Sequence, residues 1–324
     1  MRFVSAARAA LVAALALAPQ FALAQAYPAR PIKLVDPFPP GSVVDIIGRI
    51  AGAQLQQVLG QPVIVDNRSG AGGSIGAEYV AKSPPDGYTL LITTSSTHAI
   101  APAIRKEMPY DAIKDFTPMA LVVRGTVVIV THPSVPAKSL ADLVRYAKSN
   151  PGKLSYGSAG IGTISHFGGE ILASRTGTQL VHVPYRGGAP AAADLATGIV
   201  QVMIDSLGTQ MPNIKAGKVR PLAVMLPQRS PQAPEVPTVR EAGFANLEFA
   251  TWIGLFGPAG LPPEIVKKVV AAMREGLATP DVREKLGALG QTVVMQDGET
   301  LAKYLVADQQ RYIDLVRTAG IEKQ

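Results

Sequence analysis

Apolar and polar positions along the chain alternate in blocks rather than residue by residue. Short runs of buried-strand type stand at residues 32–35, 63–65 and 88–92. Each is too short for a helix, and the first two lead into stretches of helical character. Val43, Ile47, Ile50 and Val58 mark one of these, opened by Ser42 and reaching about Leu59, and Ser42 with Asp45 fits a capping box. Residues 76–82 carry the next, and Pro84-Pro85-Asp86-Gly87 supplies a turn before the third strand. Strands separated by helices predict the α/β class, with a parallel sheet covered on both faces.

Residues 122–131 are almost wholly apolar and β-branched, which reads as a crossing into a second domain. Ser139 and Asp142 make a second capping box, opening a helix to about Lys148. Strands at 154–156, 181–183, 200–205 and 221–225 then alternate with helices at 166–175, 189–197 and 211–216. Residues 227–243 hold several prolines and no period, so they predict a long loop. Residues 251–256 form a strand suited to carrying the chain back, with Trp252 as a core side chain, and helices follow at 263–278, 280–288 and 300–319. The expectation is two domains, 27–124 with 251–324 and 125–250, hinged by two crossings about a cleft.

Four of the strand-like runs end in loops of small and hydroxyl residues: 37–42, 93–98, 157–163 and 184–188. A strand, a tight polar loop and a helix N-terminus make the unit whose strand end binds ligands in open α/β sheets. Small residues let backbone N–H groups approach a ligand, and a helix N-terminus favours an anion. The candidate site is therefore Phe38, Gly41 and Ser42 with Ser95, Ser96, Thr97 and His98 on one wall. Ser158, Ala159, Gly160, Gly162, Thr163, His166, Tyr185, Arg186, Gly187, Asp205 and Ser206 form the other. Phe38 is the apolar residue expected against the ligand, and Tyr185 a pocket wall. Ser158 and Thr163 are expected to aim their hydroxyls at an anion. Arg186 reads either as a carboxylate clamp or as a solvated rim residue, and Asp45 as a helix cap rather than a contact.

Composition narrows the classes. Arg2 and Arg8, the apolar residues 9–18 and Ala22-Leu23-Ala24 read as an export signal cleaved before Gln25, or alternatively before Tyr27. The apolar run falls short of the roughly 20 residues needed to span a bilayer. The chain has no cysteine, which removes disulfides and thiolate metal sites. Its formal charge of +7 includes both signal arginines and is not gathered in a basic run, so nucleic acid is not an expected partner. The four histidines lack metal-ligand spacing, and no cofactor is expected. Gly72-Gly73-Ser74-Ile75-Gly76 has the letters of a nucleophile elbow but lies well after its strand, and Thr163 stands where a P-loop needs lysine.

Longer motifs add a resemblance. Pro37-Phe38-Pro39-Pro40-Gly41 with Asp45, and Asp66-Asn67-Arg68-Ser69-Gly70-Ala71-Gly72-Gly73, resemble the Bug family of extracytoplasmic solute receptors. Pro85-Asp86-Gly87-Tyr88-Thr89-Leu90, Ser158-Ala159-Gly160 with Gly162-Thr163 and His166, and His182-Val183-Pro184-Tyr185-Arg186-Gly187 continue it in order along the chain. The chain departs from the usual pattern at Ser42, commonly a second glycine, and at Asp36, commonly a valine. The resemblance implies a two-domain periplasmic-binding-protein (Venus-flytrap) fold of type II, with two interdomain crossovers. It implies a monomeric, periplasmic, non-catalytic protein holding a small organic carboxylate with backbone amides, hydroxyls and waters. It also implies delivery to the membrane subunits of a tripartite tricarboxylate transporter. A receptor presenting its ligand to a membrane sensor kinase, or an exported hydrolase, are the alternatives.

Overall fold

The computed structural model describes residues 27–248 and 250–323, so the segment read as an export signal lies outside the described residues. The strands in chain order are β1 (Ile32–Asp36), β2 (Val63–Asn67), β3 (Thr89–Thr94), β4 (Phe116–Gly125), β5 (Val127–Thr131), β6 (Ser155–Ser158), β7 (Val181–Pro184), β8 (Val202–Ser206), β9 (Arg220–Val224), β10 (Thr251–Pro258) and β11 (Gln291–Asp297). They form two sheets of a two-domain α/β fold. One has the order β11-β4-β10-β3-β1-β2 and the other β7-β6-β8-β5-β9. The chain passes from the first sheet to the second between β4 and β5, across Thr126, and returns between β9 and β10.

Neither sheet is wholly parallel, contrary to the expectation from strand–helix alternation. β1 pairs parallel with β2 and β3, and β6 with β7 and β8. β10 runs antiparallel between β3 and β4, and β5 antiparallel between β8 and β9. β11 also runs antiparallel, on β4 at the edge of the first sheet. The other two reversed strands, β10 and β5, are those that enter a sheet from the other one. A strand arriving from the neighbouring domain has no crossover helix of its own sheet to return it in the same direction, so it adds antiparallel.

The helices follow from their caps and apolar faces. In the Val43–Leu59 helix the Ser42 side chain accepts the Asp45 N–H, and Gly60 ends it at φ +71°. Its buried stripe of Ile47, Ala51 and Leu55 packs in a core with Leu34, Leu90, Val122 and Met273, the last from the Pro263–Leu277 helix. The Gly298–Ala319 helix lays Leu301, Leu305 and Tyr312 into the larger core, beside Trp252, Leu121 and Phe167.

One helix departs from the sequence expectation. Residues 93–98 read as a loop, yet Ser96–Ile100 form a wide helical turn continuous with the Ala101–Ile104 helix, and all five of its residues are buried. Pro102 has no N–H to give to the carbonyl of His98. That carbonyl instead accepts from Gln309 Nε2 at 2.6 Å, so the C-terminal helix completes the turn.

Candidate functional site

A cleft of about 520 Å³ lies between the sheets, lined from both. Four helix N-termini reach it: Val43 and Val44, Ile164 and Ser165, Gly188 and Ala189, and Gly208 and Thr209. The first N–H groups of a helix have no partner within it and carry partial positive charge. Convergence of several such ends makes the cleft a binding place for negative charge without a cation.

The 37–42 loop is held from behind by carboxylates. Asp36 Oδ1 accepts the Phe38 N–H at 2.9 Å, and Asp45 Oδ2 accepts the Gly41 N–H at 2.9 Å. Asn67 Nδ2 stands 2.9 Å from Asp45 Oδ1, 3.2 Å from Asp36 Oδ2 and 3.1 Å from the Phe38 carbonyl. Arg49 neutralises Asp45 at 2.9 Å. Asp36 is fully buried, and burial pushes its carboxyl up to about 8. These contacts make Asp36 and Asp45 supports of the loop, with Phe38, Gly41 and Ser42 left to line the cleft.

The 158–163 loop is braced in the same way. Thr163 Oγ1 donates to the Gly160 carbonyl at 2.6 Å and caps the following helix by accepting the His166 N–H. Ser158 Oγ lies 2.6 Å from His182 Nε2 and accepts the Gly160 N–H at 3.2 Å. Ser165 Oγ accepts the Ala159 N–H at 2.8 Å. The hydroxyl of Ser158 is thus committed to His182 of β7 and to the loop, and that of Thr163 to the loop and its helix, while Thr163 reaches the cleft with Ala159. Across the cleft, Ser96 Oγ accepts the Ile164 N–H at 3.0 Å and joins the two walls.

The structure gathers part of the sequence-predicted set and leaves part behind. Phe38, Gly41, Ser42, Ser96, Ala159, Thr163, Gly187 and Asp205 line the cleft. Ser95 bonds Thr251 at 3.1 Å and Thr97 bonds Thr93 at 2.8 Å, both buried. His98 is fully buried, its ring 4.3 Å from that of Phe256 and 4.6 Å from that of Phe116, and burial holds it down to about 3. It is a core ring. Gly160, Gly162 and His166 shape the loop from within, the Gly162 N–H facing His166 Nδ1 at 3.4 Å. The Tyr185 hydroxyl donates to Asp194 at 2.7 Å, and Arg186 is exposed outside the lining.

The sequence reading stopped at Asp205-Ser206 and missed the residues that follow β8. Ser206, Gly208, Thr209 and Asn213 line the cleft, as do Ile46, Thr251, Ile253, Leu289 and Gln291. Ser206-Leu207-Gly208-Thr209 after an apolar strand repeats the pattern of the other four loops, and that signal was present. Asp205 is the one ionisable side chain among the described residues of the lining. It is 6 % exposed, and burial pushes it up to about 6 against hydrogen bonds from the Ser206 backbone, Gln210 and Thr209.

A family model described as the tripartite tricarboxylate transporter family receptor matches residues 47–321. The chain belongs to that receptor family. Protein BugT of Bordetella pertussis is 35% identical over 298 residues, covering 92% of this chain and 91% of that protein. Among solved structures, the Rpa4515 protein of Rhodopseudomonas palustris with adipate superposes with a TM-score of 0.88 at 36% identity, over 91% of this chain and 99% of that one. MatC of the same organism, with bound malate, gives 0.86 at 34% identity, over 90% and 100%. Family membership and these superpositions show the two-domain solute-receptor fold for this chain.

Proposed function

We propose that this receptor captures a small organic carboxylate in the cleft, in the periplasm and without catalysis, for uptake through the membrane subunits of a tripartite tricarboxylate transporter. The observation that carries the reading is the convergence of four helix N-termini on a cleft free of lysine, arginine and histidine among the described residues. Amides and hydroxyls bind a carboxylate without burying an unpaired cation. Adipate and malate in the solved relatives support a carboxylate as the ligand class.

The receptor acts as a monomer with a hinge near Gly125 and Thr251. Its domains are 27–124 with 251–324, and 125–250. Closure on the ligand desolvates the carboxylate and creates the shape a membrane partner reads. A thermal-shift screen against a carboxylate library tests the binding. A ligand at 100 times its dissociation constant stabilises the folded state by about 2.7 kcal/mol. A library in which no acid raises the melting temperature, while the protein is folded, refutes the reading. N-terminal sequencing of periplasmic protein tests export, and a mature chain starting at Met1 contradicts it.

A further inference from the structure

Two polar side-chain atoms at the hinge end of the cleft have no partner in the fold. Gln291 opens β11, lines the cleft and is 3 % exposed, yet its Oε1 is buried and unbonded among the described residues. Its Nε2 turns to the Leu289 carbonyl at 3.4 Å, which leaves Oε1 as the free end of the amide. Gly125 makes room for that amide: a Cβ there would stand 2.8 Å from Oε1 and 2.9 Å from Nε2. Ser206 also lines the cleft and is 9 % exposed. It is the N-cap of the Leu207–Lys215 helix, where a serine side chain ordinarily accepts a backbone N–H. Here its Oγ caps nothing, and it too is buried without a partner among the described residues.

The crossing between the sheets brings the two residues together. The Thr126 N–H donates to the Gly290 carbonyl at 3.1 Å, and the Thr126 carbonyl accepts the Leu207 N–H at 2.9 Å. Gln291 and Ser206 adjoin those two residues in the chain, one on each side of Thr126. Buried polar atoms are ordinarily bonded, so an unbonded pair on the wall of a binding cleft marks what the ligand supplies. Gln291 Oε1 can only accept, whereas the Ser206 hydroxyl has a proton to give. A ketone or carboxylate oxygen offers Gln291 no hydrogen, and an ammonium offers the Ser206 proton no lone pair. A hydroxyl donates to the first and accepts from the second.

Resting on the carboxylate-receptor reading above, we infer that Gln291 and Ser206 form a subsite that selects a hydroxyl group on the ligand, so that the receptor takes hydroxy-carboxylic acids in preference to their deoxy counterparts. The ligand's carboxylate groups, one or more, are left to the helix N-termini and loop amides, and the subsite sets no limit on their number.

Calorimetric titration at neutral pH tests this with matched acids: malate against succinate, β- and γ-hydroxybutyrate against butyrate, and para-hydroxybenzoate against benzoate. At least one hydroxy acid should bind about tenfold or more tighter than its partner, because the partner leaves both oxygens unbonded. Gln291→Met keeps the length of the side chain and removes the acceptor, and should bring that ratio to within about twofold. Ser206→Ala should lower it about threefold or more. A general loosening of the cleft would weaken both acids of a pair and leave the ratio alone. The inference is overturned if no hydroxy acid is preferred to its partner, or if the ratio is unchanged in both variants, each shown to melt cooperatively. It is also overturned if γ-aminobutyrate binds more tightly than γ-hydroxybutyrate, which would give the subsite to an ammonium. Acids that bind without regard to the hydroxyl leave the carboxylate-receptor reading standing and remove only the subsite. Failure of every acid to bind the folded protein removes the reading itself.

Discussion

Thr163 illustrates how a side chain can stand in a ligand loop and still work for the fold. Its hydroxyl donates to Gly160 and accepts from His166, so it closes the loop and caps the Ile164–Thr176 helix. Thr163→Ala should therefore cost about 1 kcal/mol of stability, read from urea unfolding, and Thr163→Ser should restore most of it. Equal stability of wild type and the alanine variant would show the cap is idle. Asp36 gives a prediction in pH. Its folded-state pKa is raised to about 8, so the proton is held more tightly in the folded chain than in the unfolded one. Its contribution is complete below the ordinary carboxylate range and is lost as pH rises through about 8. The melting temperature of Asp36→Asn relative to wild type should accordingly rise between pH 5 and pH 9, ranges set by that shift. A difference that does not change with pH sinks the assignment. Neither role is visible in the sequence, because a hydroxyl or a carboxylate in a loop does not announce which way it is bonded.

Elements were legible where a local signal and the packing agreed. Ser42 and Ser139 were readable as caps, and both side chains accept the N–H three residues on, from Asp45 and Asp142. β11 was not readable. Its pairing with β4 shifts register between Val293 and Gln296, and Met295 sits at φ +40°, so no period of two survives in the sequence. The wide turn at Ser96–Ile100 was equally hidden, since its completing bond comes from Gln309, more than two hundred residues away. The C-terminal helix is a support for both sheets as well as an end. The buried bond from Trp252 Nε1 to Asp308 Oδ2, 2.9 Å, anchors it to β10. Trp252→Phe leaves that carboxylate with one partner fewer inside the core and should cost about 1–3 kcal/mol in chemical denaturation. A loss of only a few tenths would mean that Arg311, also on Asp308, suffices.

At the scale of the molecule, close approaches between the sheets set the cleft. A Cβ on Gly208 would stand 2.2 Å from the Leu289 carbonyl oxygen, and one on Gly72 would stand 2.6 Å from that of Ile161. Gly208 is helical, so alanine suits its backbone and fails only in the space. Gly208→Ala should hold the walls apart, enlarge the radius of gyration measured by X-ray scattering with ligand, and weaken the best carboxylate about tenfold. Unchanged affinity with unchanged scattering would show that the contact yields. The sequence by itself determined the α/β class, most of the strand and helix segments and the receptor family, because block periodicity, caps and ordered motifs are local properties. It also marked Phe38, Ser42 and Gly187 as loop residues that line the cleft. Only the tertiary structure decided that the reversed strands make both sheets mixed, that His98 is a core ring, and that the walls meet at Ser96 and Ile164. It also brought Ile46 and Leu289 into one lining with Asp205, which the sequence had already marked. Those outcomes depend on which surfaces face each other across segments far apart in the chain, and burial, the force that selects them, leaves no mark on any single segment.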